Sequence, residues 1–436
     1  MRTILTIAML LLAFQKIAAQ PMFHGNPARS GVYDSSGPAE LHGVKWTFKT
    51  SGPIVASPVA AGGTVFIGSL DNFLYAIDEE SGQQKWKFRT LGGRQITSAP
   101  AVVNGVVYFL GFDGIFYALA ADTGAQKWIF STEYERRFQA NRLHGYPPGY
   151  QTIADSWDLY SSSPAVMNGK VYFGSGDGNV YALDAQNGAL VWKFPTGDVV
   201  HASPAVVNGV VYIGSWDSFF YAIDAETGQE KWRFKGGEDS FIHNQQGFQS
   251  SAAVVDGTVY VGCRDGHLYA LDTATGRKRW DYSTSKGWVN STPAVQDGVV
   301  YTGTSDGFRF FAVDAKTGRL RFNFDAKGAV FSSPALAGRF VYFGSSNGKF
   351  YALEANSGKL VWQFQTESAK QDPMKILNPD GGLNNEAAYA PYFRDYQDMV
   401  LAFYRIFSVG AIWSSPAVSN GVVFFGSTDG NLYALK

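Results

Sequence analysis

The chain has 436 residues with 36 Lys+Arg against 37 Asp+Glu, a net charge of −1, so no basic surplus exists to neutralise a run of phosphates and no nucleic-acid partner is expected. Charged residues make up only 17% and aromatics 15%, with 49 glycines, a profile that excludes a disordered or coiled-coil protein. The single cysteine, Cys263, excludes an intrachain disulfide and a cysteine-rich zinc or iron–sulfur site. In chain order, Arg2, the apolar run Ile4 to Phe14 and the small residues Ala18 and Ala19 read as an export signal over 1–19. Such a run rises about 16 Å as a helix, too short for ~30 Å of hydrocarbon, so no membrane span is expected. An uncleaved anchor is the alternative that this length disfavours. No cysteine near the cleavage point offers a lipid anchor, so the chain is expected in a bacterial periplasm or outside the cell, and not as a lipoprotein.

From residue 20 onward a repeat organises everything. Its anchor position is held by Pro58, Pro100, Pro164, Pro204, Ala252, Pro293, Pro334 and Pro416, spaced 42, 64, 40, 48, 41, 41 and 82 residues apart. Each unit predicts four short strands. Pro-Ala-Val-Val gives the first, and Asn-Gly or Asp-Gly closes a hairpin because these residues tolerate the positive φ of a primed turn. Val-Val-Tyr-Ile-Gly gives the second strand, an Asp-Gly turn such as Asp177-Gly178 follows, and Tyr-Ala-Leu-Asp gives the third. A Thr-Gly or Ser-Gly turn leads to the fourth, whose aromatic residue falls four places after the glycine: Trp86, Trp128, Trp192, Trp232, Trp280, Phe322 and Trp362. Four strands and one aromatic per ~40 residues is the signature of propeller blades. The last unit stops at Lys436 after its third strand, and the missing strand stands at the other end, around Trp46. The expected fold is therefore all-β, a single eight-bladed propeller of four-stranded antiparallel blades over 20–436. The N-terminal strand completes the C-terminal blade and leaves no open edge. The slot aromatics, Trp46 included, are read as core between blades.

Three expansions, 131–160, 235–248 and 365–412, all fall between a fourth strand and the next first strand, so alternation of strand direction puts them on one face. Trp157, Trp216, Trp288 and Trp413, outside the repeat slot, map to the same face, as do His144, His201, His243 and His267. Variable loops on a rigid scaffold are where binding concentrates. The largest expansion predicts a helix after Pro391, with Tyr392, Tyr396, Met399, Val400, Phe403 and Phe407 as one apolar stripe. That stripe is expected to cap the channel, or else to serve as a docking helix. Arg136, Arg137 and Trp157 give 131–160 the composition of an interface hot spot. The histidines come from different blades without ligand spacing, and the Asp-Gly turns lack a calcium-loop pattern, so no metal site is expected.

The unit Pro-Ala-Val … Gly-Ser … Asp-Gly … Tyr-Ala-Leu-Asp … Thr-Gly … Trp resembles the pyrroloquinoline-quinone-type (PQQ-like) propeller repeat with its tryptophan-docking motif. The lead-in from Pro21 to Gly31 resembles that of envelope proteins in the family. The family includes quinoprotein dehydrogenases and non-catalytic scaffolds, such as the propeller subunit of the outer-membrane β-barrel assembly machinery. The dehydrogenase branch implies adjacent cysteines in a disulfide, a stacking tryptophan, Glu and Asn around calcium, and an Asp base. In this chain Cys263 stands alone, where other units carry Ser69, Ser175, Ser215 or Thr304. No Glu/Asn/Asp set matches that pattern, although Asp155, Asp158, His201 and Trp288 are placed to line a central pocket. The resemblance thus favours a non-catalytic monomeric ring, without cofactor, that binds another protein through its looped face. Its candidate binding residues are Trp157, His201, Trp216, Trp288, Trp413, Arg136, Arg137, Tyr392 and Tyr396. The alternatives are a divergent PQQ- and calcium-dependent dehydrogenase of alcohols or sugars, and capture of a small ligand or glycan at the tryptophan-rich rim.

Overall fold

The computed structural model describes residues 21–140, 153–237, 247–285, 287–389 and 396–436. Antiparallel four-stranded sheets run through 59–89, 101–131, 165–195, 205–235, 252–283, 294–325 and 335–365, which are blades 1 to 7, and Val32–Tyr33 adds a fifth, parallel strand to blade 7. Blade 8 takes three strands from 417–435 and its fourth from Val44–Lys49, which pairs antiparallel with Asn431–Leu435. The backbone of Lys436 exchanges hydrogen bonds with Gly43 in place of the missing turn. Eight blades and a shared last blade are thus what the repeat predicted.

Local chemistry repeats with the blades. The first hairpin of blade 4 turns through Asn208 (φ 51°) and Gly209 (φ 73°), the primed geometry that asparagine and glycine tolerate. In the second turn of blade 3, Asp177 accepts the Asn179 amide at 3.0 Å and the Tyr181 hydroxyl at 2.6 Å. Asp71, Asp217 and Asp429 hold Tyr75, Tyr221 and Tyr433 in the same way. These acids are turn formers with their oxygens engaged.

The slot tryptophans lock each blade to the next. The Trp192 indole donates to the Ala225 carbonyl of blade 4 at 3.0 Å, and Tyr172 donates to the same oxygen at 3.2 Å. Against the ring lies Gly228, with φ +70°, where a Cβ would come within 2.8 Å of the indole. Conformation and clearance both require glycine there. The contact recurs from Trp46 round to Trp280, and Phe322 fills the slot without an N–H to give. Trp362 faces blade 8, which has no such turn, and donates instead to Pro38 of the N-terminal segment at 3.0 Å.

Two further devices close the ring around its axis. Hydroxyls before the inner strands staple neighbours: Ser163 accepts the Ala99 amide, Ser203 that of Ser163, Ser251 that of Ser203, Ser333 that of Thr292, Ser415 that of Ser333 and Ser57 that of Ser415, at 2.8–3.0 Å. The lead-in Pro21 to Tyr33 forms a strap across the bottom of the channel. Its carbonyls at Pro21, Pro27, Ala28, Ser30 and Gly31 accept the amides of Val102, Val206, Val254, Val295 and Leu336 from five different blades. The Arg29 side chain is fully buried and donates to the carbonyls of Phe23, Ser163, Pro164 and Pro204. Burial lowers its pKa to about 9.

Candidate functional site: the closed top of the channel

The residue just before the Asp or Asn of each second turn varies from blade to blade. In blades 4, 5 and 7 it is Trp216, Arg264 and Ser346. The Arg264 guanidinium is fully buried and lies over both the Trp216 and Trp288 rings, 4.1 and 4.0 Å from their centroids. It donates to Asp155 at 2.7 Å and to Gln249 at 3.0 Å. Burial raises the Asp155 pKa, against the pull of Arg264.

His201 sits beside this pair. Its Nδ1 is 2.5 Å from Asp158 and its Nε2 2.7 Å from Glu135, all three side chains being fully buried. Burial alone would lower the imidazole pKa, but the two carboxylates raise it to about 10. The ring is therefore an imidazolium with both N–H groups engaged, not a free base. Glu135 also accepts the Gly176 amide at 2.9 Å, and Asp158 the Phe138 amide at 2.6 Å. Phe138 in turn stacks on Trp216 at 4.5 Å. Together these bonds clamp the described part of the 131–160 insertion onto blades 3 to 5.

The other half of the top is apolar. The 365–412 insertion contains the helices α1 (Glu367–Gln371), α2 (Asn385–Tyr389) and α3 (Tyr396–Ser408). Trp157 meets Phe403 at 4.5 Å, Phe331 at 5.7 Å and Trp413 at 6.1 Å between ring centroids. The Trp413 indole donates to Ser346 at 2.8 Å. Met399, Ala402 and Ile406 turn inward from α3. The expected stripe needs one correction: Val400 stands about 100° round the helix from Met399 and is exposed. With 50% exposure it joins Leu401 (37%) and Tyr404 (67%) on the outer side. Met399, Phe403 and Phe407 of the stripe pack as a cap.

Between cap and strap remains a cavity of ≈ 60 Å³, lined by the serine ring, Tyr160, Asn290 and Phe23. That holds a few waters, against about 300–1,000 Å³ for pockets that take drug-sized ligands. A tricyclic quinone does not fit this space, and Arg264 already lies over the faces of the two channel indoles. Among the described residues no group of three His, Cys, Asp or Glu is arranged to hold a cation. Cys263 is buried and its thiol pKa is pushed up by burial.

Asp155, Asp158, His201 and Trp288, expected to line a central pocket, do converge, but Arg264 pairs with Asp155 and covers the Trp288 ring, while His201 is held between Asp158 and Glu135. Trp216, Trp288 and Trp413 are buried and Trp157 half-buried, so the indoles form no exposed rim. Arg136 pairs with Asp198 at 2.9 Å and Arg137 lies over Phe112 at 5.8 Å. Tyr392 lies outside the described residues, as do His144 and His243, and Tyr396 opens α3. Arg264, Glu135 and Gln249 escaped the sequence reading. The one signal for them was an arginine at the variable turn position.

The profile of the family described as "Outer membrane protein assembly factor BamB" matches residues 35–146, 151–292 and 285–381. No curated protein sequence matches. Among solved structures, BamB from Moraxella catarrhalis is similar at 17% identity and TM-score 0.62, covering 90% of this chain and 97% of its own. A europium-containing methanol dehydrogenase is similar at 16% identity and TM-score 0.70, covering 95% and 98%. A quinohemoprotein alcohol dehydrogenase from Comamonas testosteroni is similar at 14% and 0.68, covering 96% and 80%.

Proposed function

Since the chain belongs to the BamB-like family of PQQ-repeat propellers, we propose that it is a non-catalytic, exported scaffold that binds another protein of the cell envelope through its looped face. The observation that carries this reading is the closed top: an aromatic cap fills the channel mouth from below while α3 turns Val400, Leu401 and Tyr404 outward. Adjacent exposed apolar side chains on a firmly packed helix suit a partner surface. The divergent dehydrogenase reading finds less support. The channel cavity beside His201 is too small for the quinone, and His201 has no free lone pair with which to take a proton.

Replacing Leu401 and Tyr404 by lysine and aspartate tests the proposal without disturbing the inward face. We expect an unchanged melting temperature and loss of a specific cross-linked partner from an envelope extract of the source cell. Equal cross-linking by the double variant overturns the proposal. Titration with pyrroloquinoline quinone and calcium is expected to give no saturable quenching of tryptophan fluorescence. Saturable quenching accompanied by dye-linked alcohol oxidation would establish the enzyme instead.

A further inference from the structure

The strap leaves one sector of the channel bottom open. In five blades the residue two places before the hairpin turn, paired across it as in Val102↔Val107 and Val206↔Val211, sends its amide inward to a strap carbonyl. Ala60 of blade 1 and Val418 of blade 8 hold the same register, Ala60↔Val65 and Val418↔Val423, so their amides point to the same axis. Among the described residues neither meets an acceptor there; the amide of Val166 in blade 3 meets none either, but it lies where Arg29 holds the Ser163 and Pro164 carbonyls, outside the cleft. They line a cleft of ≈ 430 Å³ between the strap and these two blades. That volume is ordinary for a ligand site. Asp34 is the only charged residue in its lining, beside Tyr33, Ser30 and Asn26.

We propose that this cleft is a second binding site, at the opposite end of the propeller from the looped face, for an extended segment of a partner protein carrying a basic side chain. The strap itself defines the ligand chemistry. Wherever the same inward amide is occupied, its acceptor is a peptide carbonyl of the strap, and the last of these, Gly31, leads into the extended pair Val32–Tyr33, which adds in parallel to the inner strand of blade 7 as in strand-addition recognition. Two such amides on neighbouring blades fix the direction of the segment, and Asp34 selects a Lys or Arg beside it.

The probe is an acetylated and amidated peptide copying residues 26–32, which offers the strap's own carbonyls and one arginine, titrated into the full chain by calorimetry. Saturable 1:1 binding is expected. Ala60→Pro and Val418→Pro each remove an inward N–H without breaking a hairpin bond and weaken binding about fivefold. Asp34→Asn weakens it a few-fold and removes its salt dependence, and the Leu401/Tyr404 variant binds as well as the parent. No saturable binding, or affinity unchanged in both proline variants, overturns the proposal. If those variants fail to fold, hydrogen exchange on the native chain decides. Peptide that slows the Ala60 and Val418 amides supports the site, and peptide that leaves them unchanged overturns it. Binding seen only with a chain starting at Pro21 would make the chain's own N-terminal residues the occupant, and would also overturn it.

Discussion

At the bottom of the channel the closing element is main chain, whereas at the top it is side chains. The strap Pro21 to Tyr33 reaches five blades through backbone carbonyls, and its one buried cation, Arg29, is held by four more carbonyls. The top is closed by the aromatic cluster around Trp157 and Trp413 and by ion pairs around His201 and Arg264. The difference follows from what each end offers. Inner strands present a regular ring of inward amides to any extended segment. The connections at the top differ in length from blade to blade, so no ladder exists there and packing must substitute.

The two histidines mark the contrast. His24 in the strap is buried, and its nitrogens lie 2.8 and 2.9 Å from the carbonyls of Arg29 and Pro334. Burial lowers its pKa to about 4, so it is neutral. His201 at the top is charged. Burial works against a proton on His24 despite its two carbonyl neighbours, whereas two carboxylates hold one on His201.

The largest effect is expected at Arg29. Arg29→Leu leaves four buried carbonyls without their donor and should cost about 4 kcal/mol, or about 5 °C in melting temperature for a cooperative unit of this size. An unchanged melting temperature would mean the strap does not close the ring. Next is Trp413→Ala, at about 3–5 kcal/mol for a buried indole. Its loss should fall on the cap, so that limited proteolysis cuts first within 365–412 while the far-ultraviolet spectrum of the blades persists. Global unfolding at the same temperature as cap cleavage would show that cap and ring are one unit.

The pH dependence sharpens the comparison further. His24 binds its proton less well folded than unfolded, so between about pH 4 and 6.5 its contribution makes stability rise with pH. His201 binds its proton more tightly when folded. Its contribution is complete below about pH 6.5 and is lost as pH climbs through about 10. Urea denaturation across this range should show His24→Gln flattening the acid limb and His201→Gln the alkaline limb. An exchange of those assignments would refute a neutral His24 and a charged His201. The smallest effect is at Phe322→Trp, where a new indole N–H facing blade 7 should add about 1 kcal/mol.

Much of this molecule was legible in its sequence. The blade count, the completion of blade 8 by Val44–Lys49, the primed hairpins and the tryptophan slots are written in a repeat whose contacts lie within one unit or between neighbours. Such contacts impose a period, and a period can be read. The sidedness of the insertions followed from strand alternation alone.

The closures were decided by the tertiary structure. Gly31 meets Leu336 and Arg29 meets Pro204 across more than a hundred residues, and the strap's bonds use peptide groups that every residue possesses, so no side chain announces them. His201 and Asp158 were expected at one pocket, but the charge state of His201 depends also on Glu135, and that of Asp155 on Arg264, two residues with no periodic mark. Ring closure brings such groups within bonding distance and removes water from around them. Only in that water-excluded place do their charges acquire the values that decide what the channel can do.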